Sequence, residues 1–218
     1  MSSARASLKK WWDIVSDVGM VDVCEREMHP HVPEEKPELF HVMRDDGTEF
    51  EVMNLLHALT TCFKFEHVLE TGTQYGYSTL AIASALEFNG RGRLTTVEMR
   101  PEAVARARAL AERWSLAHWI DFRRQNSSAF VEEYDGPPFD FVFLDSELGQ
   151  RVEEFRVLYD RAKISGLVSI HDTSRRRGGS LGDYNPEMIA WFDRVGWELA
   201  VPGLESHLSR GFRVFQMR

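Results

Sequence analysis

From residue 67 onward the chain alternates short, β-rich apolar runs with helical periodicity, the order that a parallel sheet with helical crossovers requires. His67-Val68-Leu69-Glu70 predicts a first strand, ending in the turn Thr71-Gly72-Thr73-Gln74-Tyr75-Gly76. Leu80, Ile82, Ala83 and Leu86 then place an apolar stripe on a helix over 78–88, which Asn89-Gly90-Arg91-Gly92 stops. A second strand is predicted at 93–98. Pro101 suits the first turn of the helix that follows, an Ala/Arg-rich stretch running to Trp114. A third strand at 119–124 and a short helix at 127–134 come next. Gly136-Pro137-Pro138 breaks the chain before 139–145, a run so continuously apolar that it predicts a strand buried on both faces. A helix over 152–162 leads to a fifth strand at 166–172. After a Gly/Arg-rich loop at 174–185, Pro186 opens a last helix over 187–195, and 197–201 with 212–217 predict a closing antiparallel pair.

Upstream, residues 1–62 carry a helical pattern, with an amphipathic stretch at 50–63 and a Pro/Glu/His-rich connector at 29–37. Too few apolar residues precede the connector to form a core of their own. The expected organisation is an N-terminal helical cap (1–62) on a core of 63–218, one structural domain in all, since 218 residues suit a single core. The fold class is α/β: a doubly wound, mostly parallel sheet of seven strands.

Charge removes one class of function. Thirty-four acidic residues outnumber 26 basic ones, a formal net charge of −8, so a phosphate-binding basic face and a nucleic-acid partner are not expected. The dense basic run Arg175-Arg176-Arg177 reads as a solvated charge run, or else as a contact for a carboxylate or phosphate on a substrate. No apolar run approaches the roughly 20 residues that span a bilayer, and residues 1–10 lack the apolar stretch of a secretory signal. Cys24 and Cys62 stand in apolar surroundings and read as two buried thiols of a reducing compartment. The expectation is a cytoplasmic protein with no membrane partner.

Open α/β sheets bind ligands beyond the carboxyl ends of their strands. Polar residues stand at those ends here: Glu70 and Gly72 after the first strand, Glu98 after the second, Asp145 after the fourth, His171-Asp172 after the fifth. The loop Gly72-x-x-x-Gly76 lets backbone approach a ligand, and the helix behind it offers free N–H groups, although a plain tight turn would look the same. Glu98 can accept hydrogen bonds from both ribose hydroxyls of an adenosine; its other reading is a helix-start carboxylate. The dinucleotide fingerprint Gly-x-Gly-x-x-Gly is not matched, which counts against a nicotinamide cofactor.

The ordered set resembles class I S-adenosylmethionine-dependent methyltransferases, most closely the catechol-type and related metal-dependent small-molecule O-methyltransferases. Val68-Leu69-Glu70-Thr71-Gly72-Thr73-Gln74-Tyr75-Gly76-Tyr77-Ser78 is similar to the family's first motif, and the likeness runs from about residue 51 to the C-terminus. It implies a Rossmann-like methyltransferase fold and S-adenosyl-L-methionine as methyl donor. By the same resemblance Gly72, Tyr75 and Gly76 line the methionine moiety, Ser78 meets its carboxylate and Glu98 holds the ribose. Gln125-Asn126-Ser127 would bracket the adenine, and Val52 and Met53 would cover the cofactor. Glu70 and Asp145 complete the implied cofactor set.

The family's metal-dependent branch further implies a divalent cation at Asp145, His171 and Asp172. Two carboxylates suit Mg²⁺, a histidine favours a softer ion such as Mn²⁺, and the same histidine is equally compatible with loss of the metal. Methyl transfer needs in-line alignment and removal of the acceptor's proton. Where catechol-type enzymes carry a lysine, three residues after the strand-four aspartate, this chain has Leu148. Glu147 and His171 are the replacement bases on offer, His171 with the better intrinsic pKa; with Asp145 they form the candidate catalytic set. Glu205, in Pro202-Gly203-Leu204-Glu205, resembles a late acceptor contact, and Trp11, Trp12 and Met20 could close the acceptor pocket or simply pack. The implied reaction is O-methylation of a phenol, catechol or sugar-type hydroxyl. Alternatives are an N-methylating relative and a non-catalytic, cofactor-sensing one. The expected partner is a small-molecule acceptor, with a homodimer left open.

Overall fold

The computed structural model describes residues 3–17, 27–28, 41–42, 47–173, 194–199 and 211–218. Seven strands form its main sheet: β1 (His67–Thr71), β2 (Arg93–Glu98), β3 (Ile120–Arg124), β4 (Phe139–Leu144), β5 (Ile164–His171), β6 (Gly196–Glu198) and β7 (Phe212–Met217). Their spatial order is β3-β2-β1-β4-β5-β7-β6. The first five run parallel, and β7 lies antiparallel between β5 and β6. The chain winds outward from β1 to β3, then returns to the far side of β1 to lay down β4. The reversal between β1 and β4 opens a crevice beyond the strand ends, where such sheets place their ligands.

Strand sequences explain the two layers. In β4, Phe141 and Phe143 join one core cluster with Val52, Leu56, Val68, Leu80 and Ile14, while Val142 and Leu144 join the other with Leu69, Val97, Phe130, Phe155 and Leu158. That is the period-two alternation of a strand with apolar neighbours on both faces. Helices α1 (Ser3–Asp17), α2 (Phe50–Phe63) and α3 (Tyr77–Asn89) feed the first cluster, whereas α5 (Ser127–Glu133) and α6 (Leu148–Asp160) feed the second. Helix α3 is buried throughout Ser78–Leu86, because α1 and α2 cover the side turned away from the sheet. The Ala/Arg-rich helix α4 (Pro101–Arg113) buries only Ala103, Ala107 and Ala111, a narrow stripe at four-residue spacing.

Several boundaries differ from the sequence pattern. Helix α6 starts at Leu148, four residues before the expected 152, because its polar first turn hides the periodicity. Within the expected helical cap, Glu27–Met28 pairs antiparallel with His41–Val42. Cys62 is exposed at the end of α2, not buried, and Cys24 lies outside the described residues. Of the expected helix 187–195 only Arg194 and Val195 are described, both helical. The run 174–193, with its three arginines, and the run 200–210, with Glu205, lie outside the described residues, as does Met20. Among the described residues no helix is long and apolar enough to cross a membrane.

Gly72 holds the crevice in register. Its φ is +87°, and a Cβ there would stand 2.2 Å from the carbonyl oxygen of Asp145. The turn after β1 therefore lies directly on the backbone after β4. Gly72→Ala is expected to lower stability by about 2–5 kcal/mol, the sum of left-handed strain and a backbone clash. Urea unfolding of the two proteins checks this.

Candidate active site

A cavity of about 430 Å³ opens over the strand ends. Gly72 and Gln74 come to it from the turn after β1, Glu98 and Arg100 from β2, Gln125 and Ser127 from the turn after β3. Asp145, Ser146 and Glu147 follow β4, Gln150 and Arg151 come from the first turn of α6, and Thr48 from the residues before α2. The volume is that of a small-molecule site.

Glu98 reaches the cavity as an ionised carboxylate. Its Oε2 accepts from the Gln74 amide at 3.0 Å, and its Oε1 from the Arg100 amide and Nε at 3.0 and 3.1 Å. Burial works to raise its pKa, but the Arg100 guanidinium and the two amides prevail and hold it below the ordinary carboxylate value. Glu70 does the opposite. It is fully buried beneath the glycine turn, accepts from Thr79 and Thr96, and is pushed up to about 7 by burial, against the hydroxyls of Ser78, Thr79 and Thr96. It ties β1 to β2 and α3 and does not line the cavity.

Of the twelve residues expected to hold the cofactor, the cavity is lined by Gly72, Glu98, Gln125, Ser127 and Asp145. The others are engaged elsewhere. Met53 is wholly buried in the core under α2. Ser78 bonds Glu70, and the Tyr75 ring lies under the Arg106 guanidinium, 3.9 Å from its centroid. Gly76 caps α3 at φ +85° against Ala107, and Asn126 caps α5 by accepting from the Ala129 amide at 3.1 Å. Trp11 packs in the core, stacked on His57, and Trp12 is exposed. Beneath the cavity Glu154 is fully buried and collects the hydroxyls of Thr71, Ser127 and Ser146, joining the ends of β1 and β4 to the starts of α5 and α6.

The structure brings Asp145, His171 and Asp172 together, with their ligating atoms within 4.8 Å of one another. It also brings two residues that sequence reasoning missed. Arg151 is buried and forks across the cluster: Nη2 lies 3.0 Å from Asp145 Oδ1, and Nη1 lies 2.9 Å from Asp172 Oδ2. Glu49, just ahead of α2, places Oε2 at 2.6 Å from His171 Nε2, while His171 Nδ1 is 2.9 Å from Asp145 Oδ1. Asp172 turns back toward Arg151 through a left-handed backbone, φ +59°. A histidine with a carboxylate on each nitrogen donates from both and is an imidazolium. Burial alone would lower its pKa, but Glu49, Asp145 and Asp172 overcome this and raise it to about 10. The raised pKa favours the protonated ring at neutral pH, a form that has no lone pair with which to act as the expected general base. Glu147 is exposed at the cavity rim, where it accepts from Gln150 Nε2 at 3.2 Å.

Arg151 did leave a trace in the sequence. Arg151, Glu154, Phe155 and Leu158 stand at i, i+3, i+4 and i+7 and are all buried, so two charged residues share the apolar stripe of α6. The late start assigned to that helix concealed the pattern.

A protein-family model described as "Methyltransferase domain" matches residues 69–173, from β1 to the end of the acidic cluster. Residues 69–173 thus resemble a methyltransferase domain. It is 26% identical over 164 residues to caffeoyl-CoA O-methyltransferase 2 of Eucalyptus globulus, covering 69% of this chain and 64% of that enzyme. To the caffeoyl-CoA O-methyltransferase of Petroselinum crispum it is 27% identical over 165 residues, covering 69% and 66%. The match thus spans slightly less than two thirds of these plant enzymes. Among solved structures, the O-methyltransferase TomG of Streptomyces achromogenes, in complex with S-adenosylmethionine, superposes with a TM-score of 0.63 at 21% identity, covering 80% of this chain and 83% of TomG. The Bacillus cereus O-methyltransferase bound to S-adenosylhomocysteine gives 0.64 at 17%, covering 96% and 91%. These likenesses bear out the Rossmann-like methyltransferase fold.

The charge pairing is expected to make the fold sensitive to alkali. Because the folded-state pKa of His171 is raised, its contribution to stability is fully present below about 6.5 and is lost as the pH rises through about 10. Glu49→Gln removes a charge facing the ring, so the imidazole titration and the alkaline limb of the melting curve are both expected to move to lower pH. Histidine NMR and thermal melts across pH check this.

Proposed function

We propose that the chain transfers the methyl group of S-adenosyl-L-methionine to a hydroxyl of a small-molecule acceptor. The observation that carries this reading is that ionised Glu98 and the charged cluster around Asp145 border the same cavity over the parallel strand ends. Glu98 would take the ribose hydroxyls, and the backbone at Gly72 would let the methionine arm lie close to Asp145. S-adenosylmethionine supplies an electrophilic methyl group when bound. The chain's own contribution is to align acceptor and donor and to manage one proton.

Arg151, which lines the cavity, would set positive charge beside an acceptor oxygen there and favour its oxyanion, while His171 is buried behind Asp145. Glu147, on the cavity rim, is the residue assigned to accept that proton. The resemblance also implies a divalent ion at Asp145, His171 and Asp172, where an ion would act as a Lewis acid. Their spacing fits an ion, but in this arrangement Arg151 occupies the carboxylates and both His171 nitrogens face carboxylates, so no step is assigned to one. The similarity to plant enzymes named for O-methylation of caffeoyl-CoA supports oxygen as the accepting atom and a phenolic or catecholic acceptor, with a sugar-type hydroxyl next. The acidic net charge supports a small-molecule acceptor over nucleic acid, and we place the enzyme in the cytoplasm.

Calorimetric titration with S-adenosylhomocysteine tests the cofactor assignment. Wild type is expected to bind, and Glu98→Gln to bind about tenfold to a hundredfold more weakly, the worth of a hydrogen bond to a charged group. No binding by wild type in any condition would sink the reading. A panel of phenols, catechols and sugars with methyl-labelled donor then tests the acceptor, and Glu147→Gln is expected to lower kcat by roughly a hundredfold or more.

A further inference from the structure

We propose that the Arg151 guanidinium takes the place of a divalent cation in this site, so that the chain works without a metal. Arg151 is firmly held. It is buried, and it donates from Nε to the Ser146 carbonyl at 2.5 Å and from Nη1 to the His171 carbonyl at 2.8 Å. The same guanidinium pairs with Asp172 at 2.9 Å and Asp145 at 3.0 Å. Two carboxylates and two backbone carbonyls are the oxygen set that a hard divalent ion would seek. Here they converge on a planar cation whose fork matches them.

The remaining donor is spent as well. His171 turns one ring nitrogen to Glu49 and the other to Asp145, so the ring directs no lone pair at a shared ion. A divalent ion would have to enter beside a fixed positive charge and displace it from both carboxylates. The carboxylates are already partnered: Asp145 and Asp172 by Arg151, and Glu49 and Asp145 by the two nitrogens of His171. Arg151 also lines the cavity, so its charge is available to an acceptor oxygen. This catalytic part rests on the methyl-transfer reading; the claim about metal does not.

The test is Mn²⁺ binding followed by electron paramagnetic resonance, on the whole chain without cofactor or acceptor. Wild type is expected to leave the free-ion signal unchanged at millimolar Mn²⁺. Arg151→Ala, which keeps Asp145, His171 and Asp172 but removes the guanidinium, is expected to take up one ion. Stoichiometric binding by wild type that Asp172→Asn abolishes would overturn the proposal. So would a folded Arg151→Ala protein that binds no Mn²⁺, its fold checked by circular dichroism. The wild-type titration needs no variant and decides the point even if Arg151→Ala fails to fold. Methyl transfer by wild type is expected to be unchanged by EDTA, and its loss would overturn the proposal. Failure of the methyl-transfer reading shows separately, as absence of S-adenosylhomocysteine binding.

Discussion

Burying charge at the strand ends is the constraint on which this site depends. Asp172 and His171 are almost wholly removed from water, and an uncompensated charge at such depth is strongly destabilising. The network answers this by pairing: Arg151 against Asp145 and Asp172, His171 against Glu49 and Asp145. Its members come from three stretches of chain, at Glu49, at 145–151 and at 171–172, so the network is also what ties those stretches together. Removing one partner leaves another buried and unpaired, which makes the whole set interdependent.

That interdependence reaches into the N-terminal part of the chain. Glu49 and Thr48 precede α2, yet Glu49 meets His171 and Thr48 donates to Asp145 at 3.4 Å. The segment before α2 therefore helps to build the site, while α2 itself packs on α3 and the sheet. On the opposite layer Glu154 performs a comparable service with hydroxyl partners, holding Thr71, Ser127 and Ser146 beneath the cavity floor. The two buried acids of α6's neighbourhood and of the glycine turn, Glu154 and Glu70, are scaffold under the site, and Glu98 and Asp145 are the acids that border it.

For the proposed methyl transfer to oxygen, the arrangement supplies positive charge without the lysine that the family resemblance implies after strand four. Leu148 stands at that position, and positive charge enters one helical turn later, from Arg151, which lines the cavity. That charge is fixed by its partners, so the proposed reaction would need little reorganisation as negative charge develops on an acceptor oxygen.

Local sequence determined the sheet and the places where function would gather. Alternation in Phe139–Leu144, the helical stripe of α3 and the glycine turn after β1 are local patterns, and each is set by the chemistry of neighbouring residues. The same holds for Glu98, Asp145, His171 and Asp172, which stand at strand ends and so had to converge once the strands ran parallel. Which side chains then met was decided only by the tertiary structure. Glu49 and His171 are 122 residues apart, and nothing near either one signals the other. Tyr75, Ser78, Asn126 and Met53 had the right addresses for a cofactor, but capping, packing and the needs of Glu70 claimed their side chains. Arg151 lay between these cases: its place on the buried stripe of α6 was legible, but its role depended on a helix start that local propensity did not mark and on its meeting with the end of β5. Pairing between buried charges is a long-range choice, made by geometry after the elements are in place.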